Sequence, residues 1–272
     1  MRALRHLADK PFIGAVTKLI MRHLLDQKVD DISSHFSTYF SPKVANSDEM
    51  LNQAFQVRHQ VYCDELSFLD KDPSGRESDK FDRHSLHCLI EHKQRAEIAG
   101  TVRMVYSTNE SEKLPLEEYC PDAISKNQIH PSNFKREEIC EISRLAVPAE
   151  FRRRNADKIP SAATGEINQQ TYSETELRCF PFIAVGLYLS GASMALNTGR
   201  NHCFVMMEPR LARSLRFVGI TFTQIGPAIE YHGKRAPYYI SSEMLMKSLS
   251  GGFKKMLKHI SKDIVAQNPQ IN

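Results

Sequence analysis

Apolar positions along the chain switch between helical and strand periods. Ile13, Val16, Ile20 and Leu24 recur at helical spacing, which predicts a mostly helical extension over about residues 1–27, broken near Pro11. Ser47, followed by Asp48 and Glu49, has the chemistry of an N-cap with an acidic first turn. Leu51, Phe55 and Tyr62 continue it as an apolar stripe with Arg58 beside them. The polar stretch SFLDKDPSGRESDKFDRHS reads as a loop. LHCLIEH and EIAGTVRMVYS flank KQRA and predict a β-hairpin. Short helices and loops are expected over 115–133, then a strand over 138–147 and a helix start at Pro148. NADKIPSAATGEINQQTYSE is polar and reads as a flexible insertion.

Beyond it, FPFIAVGLYLSGASMALNTGR predicts a buried helix ending near Gly199, and HCFVMME a strand. Pro209 opens a helix that Gly219 stops, and ITFTQIG and APYYIS read as further strands. Met244, Leu249, Phe253, Met256, Leu257 and Ile260 mark the apolar side of a final helix, opposite Lys254, Lys255, Lys258 and Lys262. This order implies one mixed α/β sheet with helices on both faces. The division expected is a helical extension over 1–44, one domain over 45–245 and an amphipathic C-terminal helix over 246–272.

Composition narrows the class. With 272 residues, 41% hydrophobic and 25% charged, the chain is an ordinary globular protein with a substantial core. A net charge of +4 is too small, and its aromatics too scattered, to predict a nucleic-acid partner. The six cysteines lie far apart without a C-x-x-C pair and read as reduced core thiols. His84, His87 and Cys88 come nearest to a zinc set, but they lie in a strand pattern, so no metal is expected. No apolar run reaches the ~18 residues of a membrane span, and charges interrupt the N-terminal segment as a secretory signal. The expected location is cytoplasmic, with peripheral membrane contact through the terminal helices as the membrane-associated alternative.

The strand within EEICEISRLAVPAEFRRR is unusual, because Glu141 and Arg144 interrupt its apolar body and Arg152, Arg153 and Arg154 follow it. Alternation of strand side chains puts Glu141 and Arg144 on opposite faces unless a bulge intervenes.

Taken with VRHQVYCDELSF, DKFD and GTVRMV, the segment EISRLAV resembles the autoinducer-synthase branch of the GNAT-like acyltransferases, which makes N-acyl-homoserine lactones. Arg58, Tyr62, Phe68, Asp79, Asp82, Arg103, Glu141 and Arg144 stand in that family's order. RSLRFVGITFTQIGPAIEYHGKRAPYYIS and EISRLAVPAEFRRR look more like the related N-acyl amino acid synthases and the acyltransferases of PEP-CTERM/exosortase clusters. The resemblance spans about residues 50–245 and implies a GNAT-like fold. It departs at Tyr62 and Phe68, where homoserine-lactone synthases typically carry phenylalanine and tryptophan. RRRNAD also lacks the glycines that let backbone amides approach a diphosphate. That loss suits acyl-carrier protein as donor better than acyl-CoA.

The resemblance implies an N-acyltransferase with no tightly bound cofactor, taking a phosphopantetheine thioester and an amino-acid acceptor. It also implies an electrostatic cluster at the acceptor site made of Arg58, Asp79, Asp82, Arg103, Ser143 and Arg144. Substrate contact and purely structural pairing both remain open for that cluster. Amide formation requires the amine to lose a proton and the thioester carbonyl to be polarised. Glu141 is the candidate base, and backbone amides over Leu145, Ala146 and Val147 are candidate oxyanion donors. Arg152, Arg153 and Arg154, extended by Arg210, Arg213 and Arg216, could pair with a pantetheine phosphate or an acidic carrier protein. Gly186, Gly191, Ala192 and Ala195 among large apolar residues could leave an acyl channel or serve close helix packing. Homoserine-lactone synthesis with S-adenosylmethionine as acceptor, and a non-catalytic carrier- or lipid-binding module, are the alternatives.

Overall fold

The structure is a computed structural model that describes residues 33–34, 36–125, 129–152 and 182–267. The predicted N-terminal helix over 1–27, the polar insertion, Arg153 and Arg154 lie outside the described residues.

Strand β1 (Phe40–Val44) precedes helix α1 (Asp48–His59), which Ser47 caps by accepting from the Met50 N–H. The hairpin follows as β2 (Ser85–His92) and β3 (Glu97–Tyr106). After the single-turn helix α2 (Pro115–Tyr119) comes β4 (Ile139–Ala146). Then follow α3 (Ile183–Asn197), β5 (His202–Met207) and α4 (Pro209–Leu215). The chain continues through β6 (Thr223–Gln224), β7 (Ile229–Glu230) and β8 (Lys234–Ser241). It closes with α5 (Ser242–Ser248) and α6 (Gly251–Gln267).

The sheet runs β1-β2-β3-β4-β5-β8-β6, with β7 paired to β8. Only β4 and β5 pair in parallel, and their register covers just Ile139–His202, Cys140–Cys203 and Glu141–Phe204. Both strands continue beyond that point, β4 to Ala146 and β5 to Met207, so the sheet is split at its middle.

The main core lies on the face covered by α3 and α6, around Ile142, Leu187, Leu189, Phe253 and Ile260. A smaller apolar cluster on the opposite face gathers Phe81, Val105, Leu116, Ile139, Phe204 and Tyr239. α3 is apolar nearly all round because it is buried nearly all round.

Several expectations change. Residues 40–44, assigned to a helical extension, form the edge strand β1, whose Phe40, Pro42 and Val44 face inward. Pro42 is tolerated because an edge strand need not donate on its open side. Pro148 starts only a 3₁₀ turn, Ala149–Phe151. The final helix is two helices, and α6 spends its apolar side, Phe253, Met256, Leu257, Ile260 and Ile264, on the core. That leaves this face no apolar surface for a membrane. No helix among the described residues is long and apolar enough to cross one.

Candidate active site

Just past the point where β4 parts from β5, its pairing with β3 becomes irregular. Across β3 and β4, Arg103 faces Ser143 while Thr101 faces Ala146, so Arg144 and Leu145 together oppose Val102. This is a β-bulge, and Arg144 absorbs it at a φ of 52°, in the left-handed region that side chains normally avoid. The bulge turns Arg144 onto the face that Ser143 and Arg103 share. The expected opposition of Glu141 and Arg144 therefore does not occur.

On that face three arginines meet three carboxylates. Arg58, from the buried side of α1, donates Nε to Glu77 Oε2 at 2.5 Å and Nη1 to Asp82 Oδ1 at 2.7 Å. Arg103 donates Nη1 to Asp79 Oδ1 at 2.6 Å and Asp82 Oδ1 at 2.8 Å, and Nε to Ser143 Oγ at 3.2 Å. Arg144 donates Nε to Glu77 at 3.1 Å and Nη2 to Asp79 Oδ2 at 2.9 Å.

The D-x-x-D spacing has a local reason too. Asp79 caps the 3₁₀ turn Lys80–His84 by accepting from the Phe81 N–H, while Asp82 accepts from the Asp79 N–H. One turn thus fixes both carboxylates before the arginines reach them. Burial alone would raise the Asp82 pKa, but hydrogen bonds and charges from Arg58 and Arg103 outweigh it and hold it well below the usual range. Glu77 and Asp79 are lowered against burial in the same way. The cluster is charge-balanced and almost dry, with Arg58 and Arg103 fully buried.

Glu141 stands apart from this network. It sits on β4 at the last paired position of the split, 3% exposed, and accepts from the Leu116 N–H at 2.8 Å. Burial pushes its carboxyl up to about 8, against the pull of the Leu116 N–H, Arg103 and Arg144. A carboxyl titrating near neutrality at the mouth of a split sheet can exchange a proton with an amine.

On the other face a small apolar pocket lies beside the base of the same strand pair. Ile142 of β4, Cys203 and Val205 of β5, and Tyr188, Ala192 and Ala195 of α3 line it. The two glycines serve a different end. A Cβ on Gly186 would stand 2.6 Å from the Phe36 ring, and one on Gly191 3.1 Å from Ile142. They let α3 close on the sheet, whereas the alanines border the cavity.

Tyr62 lies in the π-helical turn Gln60–Glu65 that continues α1, and its hydroxyl donates to the Leu145 carbonyl at 2.7 Å. Phe68 follows, tied by its N–H to the Tyr62 carbonyl. Ala146 and Val147 are buried at the end of β4. Arg152 is also buried and is ion-paired with Glu65, so it is not an exposed phosphate-seeking cation. Arg210, Arg213 and Arg216 are exposed along α4 and the turn after it, beyond the end of β5. The zinc grouping does not converge. His87 is neutral, its pKa lowered to about 4 by burial, on the cluster's face near Asp82, while Cys88 points into the opposite core. Among the described residues no set of three His, Cys, Asp or Glu could hold a metal.

Sequence reading missed Glu77, which links Arg58 to Arg144. Three arginines against two aspartates left an imbalance that pointed to a third acid. It also missed Tyr231 and Arg235, which the β7–β8 hairpin brings to the same cleft. The Tyr231 phenol, raised mainly by burial, lies within electrostatic reach of Cys120, Arg144 and Glu141.

Residues 57–160 match the family described as acetyltransferase (GNAT) domain. No curated protein sequence matches the chain. Among solved structures, the acyl-homoserine-lactone synthase LasI is similar with a TM-score of 0.52 at 12% identity, over 78% of this chain and 96% of LasI. FeeM, an N-acyl amino acid synthase from uncultured soil microbes, aligns with a TM-score of 0.51 at 13% identity, over 77% and 94%. The CoA-dependent acyl-homoserine-lactone synthase MesI aligns with a TM-score of 0.50 at 18% identity, over 78% and 88%. With a GNAT-domain match over the stretch that holds β2, β3 and β4, this chain has the GNAT-like fold in the form shared by the acyl-homoserine-lactone synthases and FeeM.

Proposed function

We propose that the protein is an N-acyltransferase that moves a fatty acyl group from a phosphopantetheine thioester to the α-amine of an amino acid. The observation that carries this reading is Glu141, a buried carboxyl with a pKa of about 8 at the point where β4 and β5 part. An acyl chain in the apolar cavity on one face would bring its thioester carbonyl into the split. The acceptor amine would approach from the Glu141 face. The amine nitrogen attacks the carbonyl carbon, Glu141 in its carboxylate form takes the proton, and the carbon–sulfur bond breaks to release the pantetheine thiolate. Backbone N–H groups near the bulge, over Leu145, Ala146 and Val147, are the candidate donors to the transient oxyanion.

Two observations bear on the substrates. The exposed Arg210, Arg213 and Arg216 suit an acidic acyl-carrier protein as donor. The resemblance of the C-terminal half to N-acyl amino acid synthases favours an amino acid as acceptor. Homoserine-lactone synthesis from S-adenosylmethionine is the second reading, supported by the fold shared with LasI and MesI. Expression of wild type and Glu141→Gln in a bacterium, with mass spectrometry of lipid extracts, tests the proposal. Acylated amino acids in the wild type and little or none in the variant are expected. Acyl-homoserine lactones in their place, with release of methylthioadenosine, would select the second reading.

A further inference from the structure

The three arginines of the cluster are matched by Glu77, Asp79 and Asp82, so no net charge is left over there for an acceptor. One arginine in the same cleft is not matched. Arg235 enters from β8, and no carboxylate lies within 4 Å of it among the described residues. Its Nε is buried without a hydrogen-bond partner. Glu208 follows the Met207 that pairs with Ala236, the last pair of the β5–β8 ladder, and does not reach ion-pair distance of Arg235.

The position of Arg235 follows from strand register. Glu141 pairs with Phe204 and Phe204 with Tyr239, and Tyr239 packs on the Phe81–Leu116 side of the sheet. Strand β8 runs unbroken from Lys234 to Ser241, so residues 235, 237 and 239 alternate onto that same face. Arg235 thus faces the side that Glu141 faces, further toward the open end of the split. Its guanidinium carbon lies 5.7 Å from the centroid of the Phe68 ring, which orients the planar group. Its charge also reaches the Tyr62 phenol and the Cys120 thiol, and Cys120 is within reach of Glu141 as well.

A half-buried guanidinium with a dry, unpartnered N–H is costly as it stands, because an unmet donor keeps its desolvation penalty. A carboxylate repairs it, since the planar fork takes two oxygens at once. We propose that Arg235, held against Phe68, binds the α-carboxylate of the acceptor and so directs the α-amine toward Glu141. The inference rests on the amino-acid acceptor reading above and names the group that recognises it. Arg235 is a binding residue and takes no part in proton transfer. It would supply a preference for α-amino acids over plain amines.

The test uses the purified full chain, a long-chain acyl-carrier-protein thioester, and an equimolar mixture of proteinogenic amino acids and the matching amino-acid amides. Products are quantified by mass spectrometry for wild type, Arg235→Met and Arg235→Lys, each checked for an unchanged thermal transition. Wild type should prefer free acids to amides by roughly 10- to 100-fold, the usual effect of one charged hydrogen-bonding partner. Arg235→Met should bring that ratio near one, chiefly through a raised KM for the free acids, and Arg235→Lys should restore part of the preference. An unchanged acid-to-amide ratio in Arg235→Met, or an equal fall on both acceptors, would overturn the assignment and leave the N-acyltransferase reading standing. Wild type that acylates amides as readily as acids overturns it as well. Wild type that acylates neither would bring down the amino-acid reading itself, and this inference with it.

Discussion

Replacing Glu141 by glutamine should make the protein more stable and less active, and the size of the stability change depends on pH in a calculable way. Burial raises the Glu141 pKa from an ordinary 4.5 to about 8. In the folded protein the group therefore keeps a proton that the unfolded chain has already lost. Its contribution to stability is fully present below pH 4.5, falls as pH rises, and levels off above about pH 8. Each unit in that window costs about 1.4 kcal/mol, so the full shift amounts to about 5 kcal/mol and the interval from pH 5.5 to 8 to about 3 kcal/mol. Glutamine is neutral throughout, similar in shape, and its carbonyl can accept from the Leu116 N–H. Urea unfolding of both proteins at pH 5.5, 7 and 8.5 measures the difference directly. The variant should gain about 3 kcal/mol on wild type between the lowest and highest pH, while losing roughly 10²- to 10⁴-fold in turnover if Glu141 is the base. A stability difference that does not change with pH would refute the buried, elevated carboxyl on which the mechanism depends.

Other consequences are as direct. Arg58→Ala should destabilise by about 3–5 kcal/mol in urea unfolding, because Glu77 and Asp82 are left buried with one partner fewer. Arg144→Gly should be more stable than Arg144→Ala by about 1–2 kcal/mol, since both lose the ion pairs but only glycine accepts a φ of 52° without strain; equal thermal transitions would contradict the bulge. Reversing the charge of Arg210, Arg213 and Arg216 to glutamate should lower kcat/KM for an acyl-carrier-protein thioester at least about tenfold at low salt and much less at high salt. In wild type, kcat/KM should rise with pH toward a plateau above about 8, as Glu141 ionises.

Much of this candidate site is legible in the sequence. The cap at Ser47, the β2–β3 hairpin and the apolar body of β4 depend on local patterns, and local patterns are what sequence carries. Arg58, Asp79, Asp82, Arg103 and Arg144 were grouped by resemblance, and the structure brings them within ion-pair distance of one another's partners. The bulge was not legible, because alternation presumes a regular ladder and one extra residue inverts every face beyond it. β1 was obscured by Pro42 and by its length of five residues. Arg235 lies 167 residues from Phe68, and only the strand order β5-β8 with the β7 hairpin brings the two together. Glu77 hid among other charges of a polar loop, where nothing local separates a buried acid from a solvated one.

The central claim is that this split sheet joins an acyl thioester to an amino-acid amine. Purified wild-type protein, incubated with an acyl-carrier-protein thioester, the proteinogenic amino acids and S-adenosylmethionine together, tests it in one mass-spectrometric measurement. The account predicts an N-acyl amino acid formed in step with released carrier thiol, and no methylthioadenosine. Methylthioadenosine rising with an acyl-homoserine lactone would contradict it, and so would thioester left intact with every acceptor present.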